Sequence, residues 1–162
     1  MQIWNPAASV TRPNDTTAYA VGDLVANSTT AGSVVPLSFP LGNSYGIGQF
    51  RINRARLAKS GTGVTNATFR VHLYAASPSP ANGDNGAWST DQAGKWLGNI
   101  DVTSMLAFTD GAAGTGSLPA GSEGLIRLPA GATVYALIEA RAAYTPAAQE
   151  VLTLTLEDLE SY

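Results

Sequence analysis

The sequence predicts an all-β fold: a single antiparallel β-sandwich, jelly-roll-like, with eight or nine strands and at most one short helix. Three observations predict it. Several segments alternate between apolar and polar residues with period two, Gly and Pro turn signals separate these segments, and no segment keeps a 3.6-residue apolar stripe beyond two turns. Many short strands with this punctuation are typical of a sandwich or barrel.

Strand signals occur along the whole chain. In the longest segment the inward-facing set changes from Phe50 and Ile52 to Leu57, which predicts a bulge near Asn53–Arg54. The clearest strands are predicted at 46–60, 67–75, 132–144 and 151–159, and weaker ones at 16–20, 23–26, 34–39, 97–102 and 124–128.

The remaining segments predict one short helix and two long loops. Residues 89–96 have a Ser or Thr N-cap and an early Asp, so they are the helix candidate. Residues 77–86 are rich in Pro, Asn and Gly, and residues 109–121 are nearly all small, so both are predicted as loops. The 162 residues fit one domain, which we expect to span 13–162 behind an unstructured N-terminal arm at 1–12.

The composition argues against an enzyme. The chain has no cysteine and a single histidine, His72, on a predicted strand, so thiolate chemistry, common zinc sites and a Ser-His-Asp triad are not expected. Glu139 and Glu157 could form the carboxylate pair of a glycosidase, but ordinary cross-strand ion pairs with Arg141 or Arg70 are favoured. We expect no cofactor and no metal; Asn82, Asp84 and Asn85 could bind calcium but are ordinary turn residues.

Charge is sparse and unevenly distributed. Charged residues make up 13% of the chain and the net charge is −3, so no nucleic-acid partner is expected. Residues 1–80 carry six basic and two acidic groups, whereas residues 81–162 carry three basic and ten acidic groups. This division suits strands that pair across the sequence or subunits that pair head to tail, with chance scatter as the alternative. There is no signal-peptide pattern and no run of about 18 apolar residues, so we expect cytoplasmic synthesis and no membrane partner.

Two groups of residues are candidate contacts. Ile3, Trp4 and Arg12, at the N-terminus, are candidates for contacts between subunits or with a larger shell, although Trp4 could equally pack onto its own domain. Trp88 and Trp96 flank the predicted helix and are candidate loop contacts. They either form an exposed aromatic platform for sugars or cap an open end of the sandwich.

One segment is distinctive: Thr11-Arg12-Pro13-Asn14-Asp15-Thr16-Thr17-Ala18-Tyr19-Ala20-Val21-Gly22-Asp23. It resembles the opening of a family of structural proteins from tailed bacteriophages and prophages. Further resemblance follows in the same order at 55–60, 65–74, 97–102, 137–146 and 150–157, so it spans nearly all of residues 11–157.

The resemblance implies a virion protein with a β-sandwich domain and no catalytic residues. The expected function is capsid decoration or cementing, in which a homo-oligomer, most simply a trimer, bridges major capsid subunits or other virion proteins. The expected location is the virion, after synthesis in the host bacterial cytoplasm. The alternative is a carbohydrate-binding module, displayed on tail or capsid for host attachment and carried by Trp88, Trp96 and the loop at 77–86.

Overall fold

Two antiparallel sheets stack face to face and form the predicted β-sandwich. The computed structural model describes residues 2–41, 49–119, 126–127, 131–157 and 159–161. Within these residues the regular structure consists of strands and two 3-10 turns, η1 (Ala31–Ser33) and η2 (Ala93–Lys95), with no α-helix.

The first sheet has five strands and forms one layer of the sandwich. Each strand is antiparallel to its neighbours. In spatial order the strands are β2 (Ala7–Thr11), β13 (Val151–Glu157), β6 (Arg54–Lys59), β10 (Gly111–Ser117) and β9 (Leu106–Phe108).

The second sheet forms the opposite layer. One of its strand positions is divided, because two short strands pair with opposite ends of the same neighbour. The order is β3 (Leu24–Val25) with β4 (Leu37–Pro40), then β12 (Thr133–Ala140), β7 (Phe69–Tyr74) and β8 (Trp96–Val102).

The strand order is that of a jelly roll. If β3 and β4 count as one position and the edge strand β9 is left aside, the two sheets contain eight positions in chain order. Their spatial orders are 1-8-3-6 and 2-7-4-5, the double Greek key of this architecture. This confirms the predicted fold class.

A small third sheet repeats the order of the first. It consists of β1 (Gln2–Trp4), β14 (Leu159–Ser161), β5 (Gln49–Arg51) and β11 (Ile126–Arg127). β1 leads into β2, β5 leads into β6, and β13 leads into β14. The small sheet therefore continues three strands of the first sheet beyond short interruptions.

The core lies between the two large sheets. Leu57, Leu152 and Leu154 point inward from the first sheet, and Val71 and Ile138 point inward from the second; all are at most 1% exposed. The predicted bulge is confirmed, because Ile52 is buried and the inward set then shifts by one position to Ala55 and Leu57.

The prediction of a loop at 109–121 was wrong, since residues 111–117 form β10. Its small residues allow close backbone contact: a Cβ at Gly114 would overlap the carbonyl oxygen of Ser104, and one at Gly116 would overlap that of Asp101. The strand is built from glycine and alanine for this reason, and it lacks the apolar alternation that identifies other strands.

The N-terminal segment also differs from expectation. Residues 1–12 were expected to be unstructured, but β2 pairs with β13 over five residues, and β1 pairs with β14. Residues 16–20 form no strand, because Asp15 Oδ1 accepts a hydrogen bond from the Thr17 amide and turns the chain.

The predicted helix at 89–96 is wrong. Gln92 has a left-handed backbone conformation, with φ of 68°, and only the 3-10 turn η2 follows before β8 begins at Trp96. Of the strand predicted at 124–128, residues 126–127 form β11 and the rest lies outside the described residues.

Candidate functional site

Arg12 lies inside the domain and makes intramolecular contacts. Its side chain is fully buried, and its Nη2 donates to Asp84 Oδ2 at 2.8 Å. Its Nε donates to the Tyr19 hydroxyl, which itself donates to Asp84 Oδ1 at 2.6 Å. Asp84 also accepts the Ala26 amide at 2.8 Å. This closed network leaves the Arg12 side chain no surface to offer a second subunit, so the predicted external contact is replaced by a structural one.

A second buried network stands beside the first. Lys59 Nζ lies 3.1 Å from Glu150 Oε1, both side chains are fully buried, and the Tyr144 hydroxyl donates to Glu150 at 2.7 Å. The rings of Tyr19 and Tyr144 stack with centroids 6.4 Å apart and planes 7° apart. Burial raises the pKa of both tyrosines, so both hydroxyls remain donors at neutral pH.

These six residues form what we call the polar plug: Arg12, Tyr19, Asp84, Lys59, Tyr144 and Glu150. The strands β2 and β6 end beside it, and β13 begins there. It therefore closes one end of the sandwich with two ion pairs. Arg12 and Tyr19 belong to the distinctive segment at 11–23, so at these two positions that segment has a structural role.

His72 lies on the outer surface of the second sheet under a covering segment. Its Nε2 lies 2.8 Å from Glu139 Oε2, and its ring stacks on Trp88 with centroids 4.0 Å apart. Burial lowers the pKa of His72, so the ring is neutral at pH 7. His72 Nδ1 and Trp88 Nε1 have no hydrogen-bond partner among the described residues, so stacking is the main attachment of the Trp88 ring.

The two tryptophans have different environments, and neither caps an end of the sandwich. Trp88 packs against a small cluster on the outer face of the second sheet that contains Leu24, Tyr74 and Leu137. Trp96 begins the edge strand β8 and is 48% exposed. The Trp88 indole thus covers part of the second sheet, and the Trp96 indole is accessible to solvent.

The two glutamates considered for sugar cleavage lie on different sheets. Glu139, on β12, contacts His72 and Arg141 Nη1, the latter at 2.7 Å. Glu157, on β13, contacts Arg54 and lies 3.1 Å from Arg56 Nε. Both glutamates form ion pairs, but only Glu139 does so with one of the two predicted arginines, Arg141, two positions along its own chain segment. Glu157 pairs across strands with arginines that were not predicted for it. Within the described part of the chain no group of three or more His, Cys, Asp or Glu side chains is arranged to hold a metal.

The uneven charge distribution is explained by pairing between the two halves of the sequence. Five of the six basic residues in 1–80 contact an acid in 81–162: Arg12, Arg54, Arg56, Lys59 and Arg70. This confirms pairing across the sequence. It also means that the charge division by itself gives no support to head-to-tail association.

The outer face of the first sheet is poor in charge. One row across all five strands consists of Ser9, Thr153, Ala58, Ala113 and Leu106. The described charged residues that point from this face are Arg54, Arg56 and Glu157, which pair with one another at one end.

This outer face ends in an exposed apolar edge. Leu106 is 67% exposed and Phe108 is 53% exposed, both on the edge strand β9. A cleft of about 350 Å³ lies beside them, lined in part by Arg56 and Thr115. Sequence reasoning missed this edge, although Thr109-Asp110-Gly111 after an apolar triplet is a hairpin signal.

Ile3 and Trp4 lie on β1, where their backbones pair with Glu160 and Leu159 of β14. Their side chains lie outside the described residues, and the predicted contact role stays a prediction.

No helix in the described part of the chain is long and apolar enough to span a membrane. No family model matches the sequence, and no curated protein matches it significantly.

Proposed function

We propose that this protein is a non-enzymatic structural component of a tailed-bacteriophage virion, where it decorates and cements the capsid as a homotrimer. In this proposal its partners are further copies of itself, joined through the Leu106–Phe108 edge of β9, and the major capsid protein, which contacts the remaining outer face of the first sheet. The resemblance of residues 11–157 to phage structural proteins is the reason for proposing a tailed-bacteriophage virion as the location.

The apolar edge is the observation that carries the proposal. Soluble proteins normally protect an edge strand with charges or by covering it, because its free backbone groups can pair with another chain. β9 instead exposes Leu106 and Phe108 next to a face built mainly from Ser, Thr and Ala. Such a face loses little side-chain entropy when a partner covers it.

The width of the face fits a multivalent role. Five strands spaced by about 4.8 Å make a surface roughly 19 Å across. Its longest strands have 7 residues and are about 23 Å long, so the face covers at most about 440 Å², less than the roughly 800 Å² per partner of a stable interface. Repetition in a trimer would add the contacts through effective concentration, so individually weak contacts can hold a shell together.

The test is the oligomeric state of two matched variants. We expect the unmodified protein to sediment as a trimer, and Leu106→Asp/Phe108→Asp to sediment as a monomer with unchanged circular dichroism. Val21→Asp is the control, because Val21 is 64% exposed in a turn away from the first sheet. A strict monomer for the unmodified protein at millimolar concentration, or a trimer that survives the double substitution, would contradict the assignment of this edge.

A further inference from the structure

We propose that the outer face of the second sheet binds a neutral pyranose glycan, with Trp96 as the stacking platform and Arg70, Asn99 and Asp101 as the polar contacts. This site lies on the opposite layer from the proposed shell-contact face. It does not depend on the proposed function.

Strand register brings these residues to one surface. Across β7 and β8, Tyr74 lies opposite Trp96, His72 opposite Asn99, and Arg70 opposite Asp101. A register shift occurs between Leu73 and Tyr74, where Gly98 has a φ of 128°. Trp96, Asn99 and Asp101 all lie on β8, the edge strand of this sheet, so a chain of sugar units can lie along that strand beside the segment that covers His72.

The aromatic part is accessible and supported from below. The Trp96 ring is 48% exposed, and its centroid lies 6.5 Å from that of His72. His72 in turn stacks on Trp88 at 4.0 Å. An indole held against a packed aromatic row loses little freedom when a ligand stacks on it, so the platform is organised before binding.

The polar part is a hydrogen-bonded group of three side chains. Arg70 Nε and Nη2 donate to the two carboxylate oxygens of Asp101 at 2.7 and 2.8 Å. The Asn99 amide donates to Asp101 Oδ1 at 3.3 Å. The side chains of Arg70 and Asp101 are 30% and 39% exposed, so the pair is rigid and still reaches solvent.

The charge of this group of side chains selects a neutral ligand. Arg70 and Asp101 cancel each other, and Glu139 cancels Arg141 on the next strand. A polyanion would be attracted by each guanidinium and repelled by its paired carboxylate, and a polycation would be attracted by each carboxylate and repelled by its paired guanidinium. Neither is therefore favoured. Different units of one glycan chain can offer an apolar C–H face to the indole and hydroxyl groups to the ion pair, which lies about 13 Å farther along the strands.

The probes are the hexasaccharides of β-1,4-glucose and β-1,4-N-acetylglucosamine, with polygalacturonate as the charged comparison, each titrated by calorimetry. We expect saturable binding of at least one neutral hexasaccharide with a Kd between about 10 μM and 1 mM. Trp96→Ala should weaken that binding at least tenfold. Trp96→Phe should retain most of it, since the phenyl ring preserves stacking.

Two control variants distinguish binding at this site from non-specific binding to exposed aromatic side chains. Phe108→Ala removes an exposed aromatic ring of similar accessibility from the opposite sheet, and it should leave the Kd unchanged. Asp101→Asn keeps the shape but loses the ion pair, and it should weaken binding severalfold. No binding of either neutral hexasaccharide at 5 mM, unchanged affinity in Trp96→Ala, or preferred binding of polygalacturonate would overturn the proposal.

Discussion

Lys59→Met should be one of the most damaging single substitutions in the protein. The change removes the buried ammonium that lies 3.1 Å from Glu150 Oε1 and donates to the Gly61 carbonyl at 2.7 Å. Methionine has nearly the same length, so packing is kept while the charge is lost. The Glu150 carboxylate, which is fully buried, then keeps only the Tyr144 hydroxyl among the side-chain donors described here.

The expected cost follows from this isolation of a buried charge. Removing one member of a buried ion pair typically destabilises a protein by about 3–5 kcal/mol. For a chain of 162 residues each kcal/mol lowers Tm by about 2–4 °C. We therefore expect Tm to fall by roughly 6–20 °C.

The double variant Lys59→Met/Glu150→Leu tests the reason for the loss. When both partners are replaced by apolar side chains, neither a buried charge nor a desolvation penalty remains, so most of the stability should return. Urea denaturation of the unmodified protein, Lys59→Met, Glu150→Leu and the double variant, at one fixed protein concentration, measures the coupling energy between the two side chains. A single-variant loss below about 1 kcal/mol, or a double variant no more stable than Lys59→Met, would refute the mutual compensation of these two buried charges.

The other predictions concern a glycine and the single histidine. Gly61→Ala should lower the free energy of unfolding, measured with urea, by about 1–3 kcal/mol, because the new Cβ would overlap Glu150 Oε1. Gly63→Ala has open space around it and should change this free energy by no more than about 0.5 kcal/mol. Equal effects of the two substitutions would contradict the close approach at Gly61. Burial holds the pKa of His72 below 6.5, so the unfolded chain takes up this proton first and stability should fall as pH drops from about 7 toward 5. His72→Phe should lose this part of the pH dependence of stability. An NMR titration midpoint above 6.5 for His72 would show that its pKa is raised and would contradict the predicted direction.

The sequence predicted correctly the longer strands in which large apolar residues alternate with polar ones. β7 and β13 were placed correctly because Val71 and Leu73, or Leu152 and Leu154, alternate with polar neighbours. β10 was missed because glycine and alanine give no such contrast. Its formation depends on the close approach of the segment around Ser104, which lies outside any local pattern.

The polar plug was invisible for a different reason. A charged residue near a chain terminus is usually exposed, so Arg12 was assigned to an external contact. Its partner Asp84 sits in an Asn-Gly-Asp-Asn-Gly stretch that has the composition of an ordinary turn. The two residues are 72 positions apart, and only the tertiary fold brings them to 2.8 Å. The uneven charge of the two halves was the one sequence signal that anticipated such pairs.

The composition of purified virus particles tests the proposed function most directly. Tailed particles assembled from the genome that encodes this chain can be banded by density and analysed by quantitative mass spectrometry. We predict that the chain is present in a fixed ratio to the major capsid protein, and that Leu106→Asp/Phe108→Asp lowers this ratio at least tenfold while Val21→Asp does not. Particles that lack the chain, or that incorporate the double variant at the full ratio, would contradict the account.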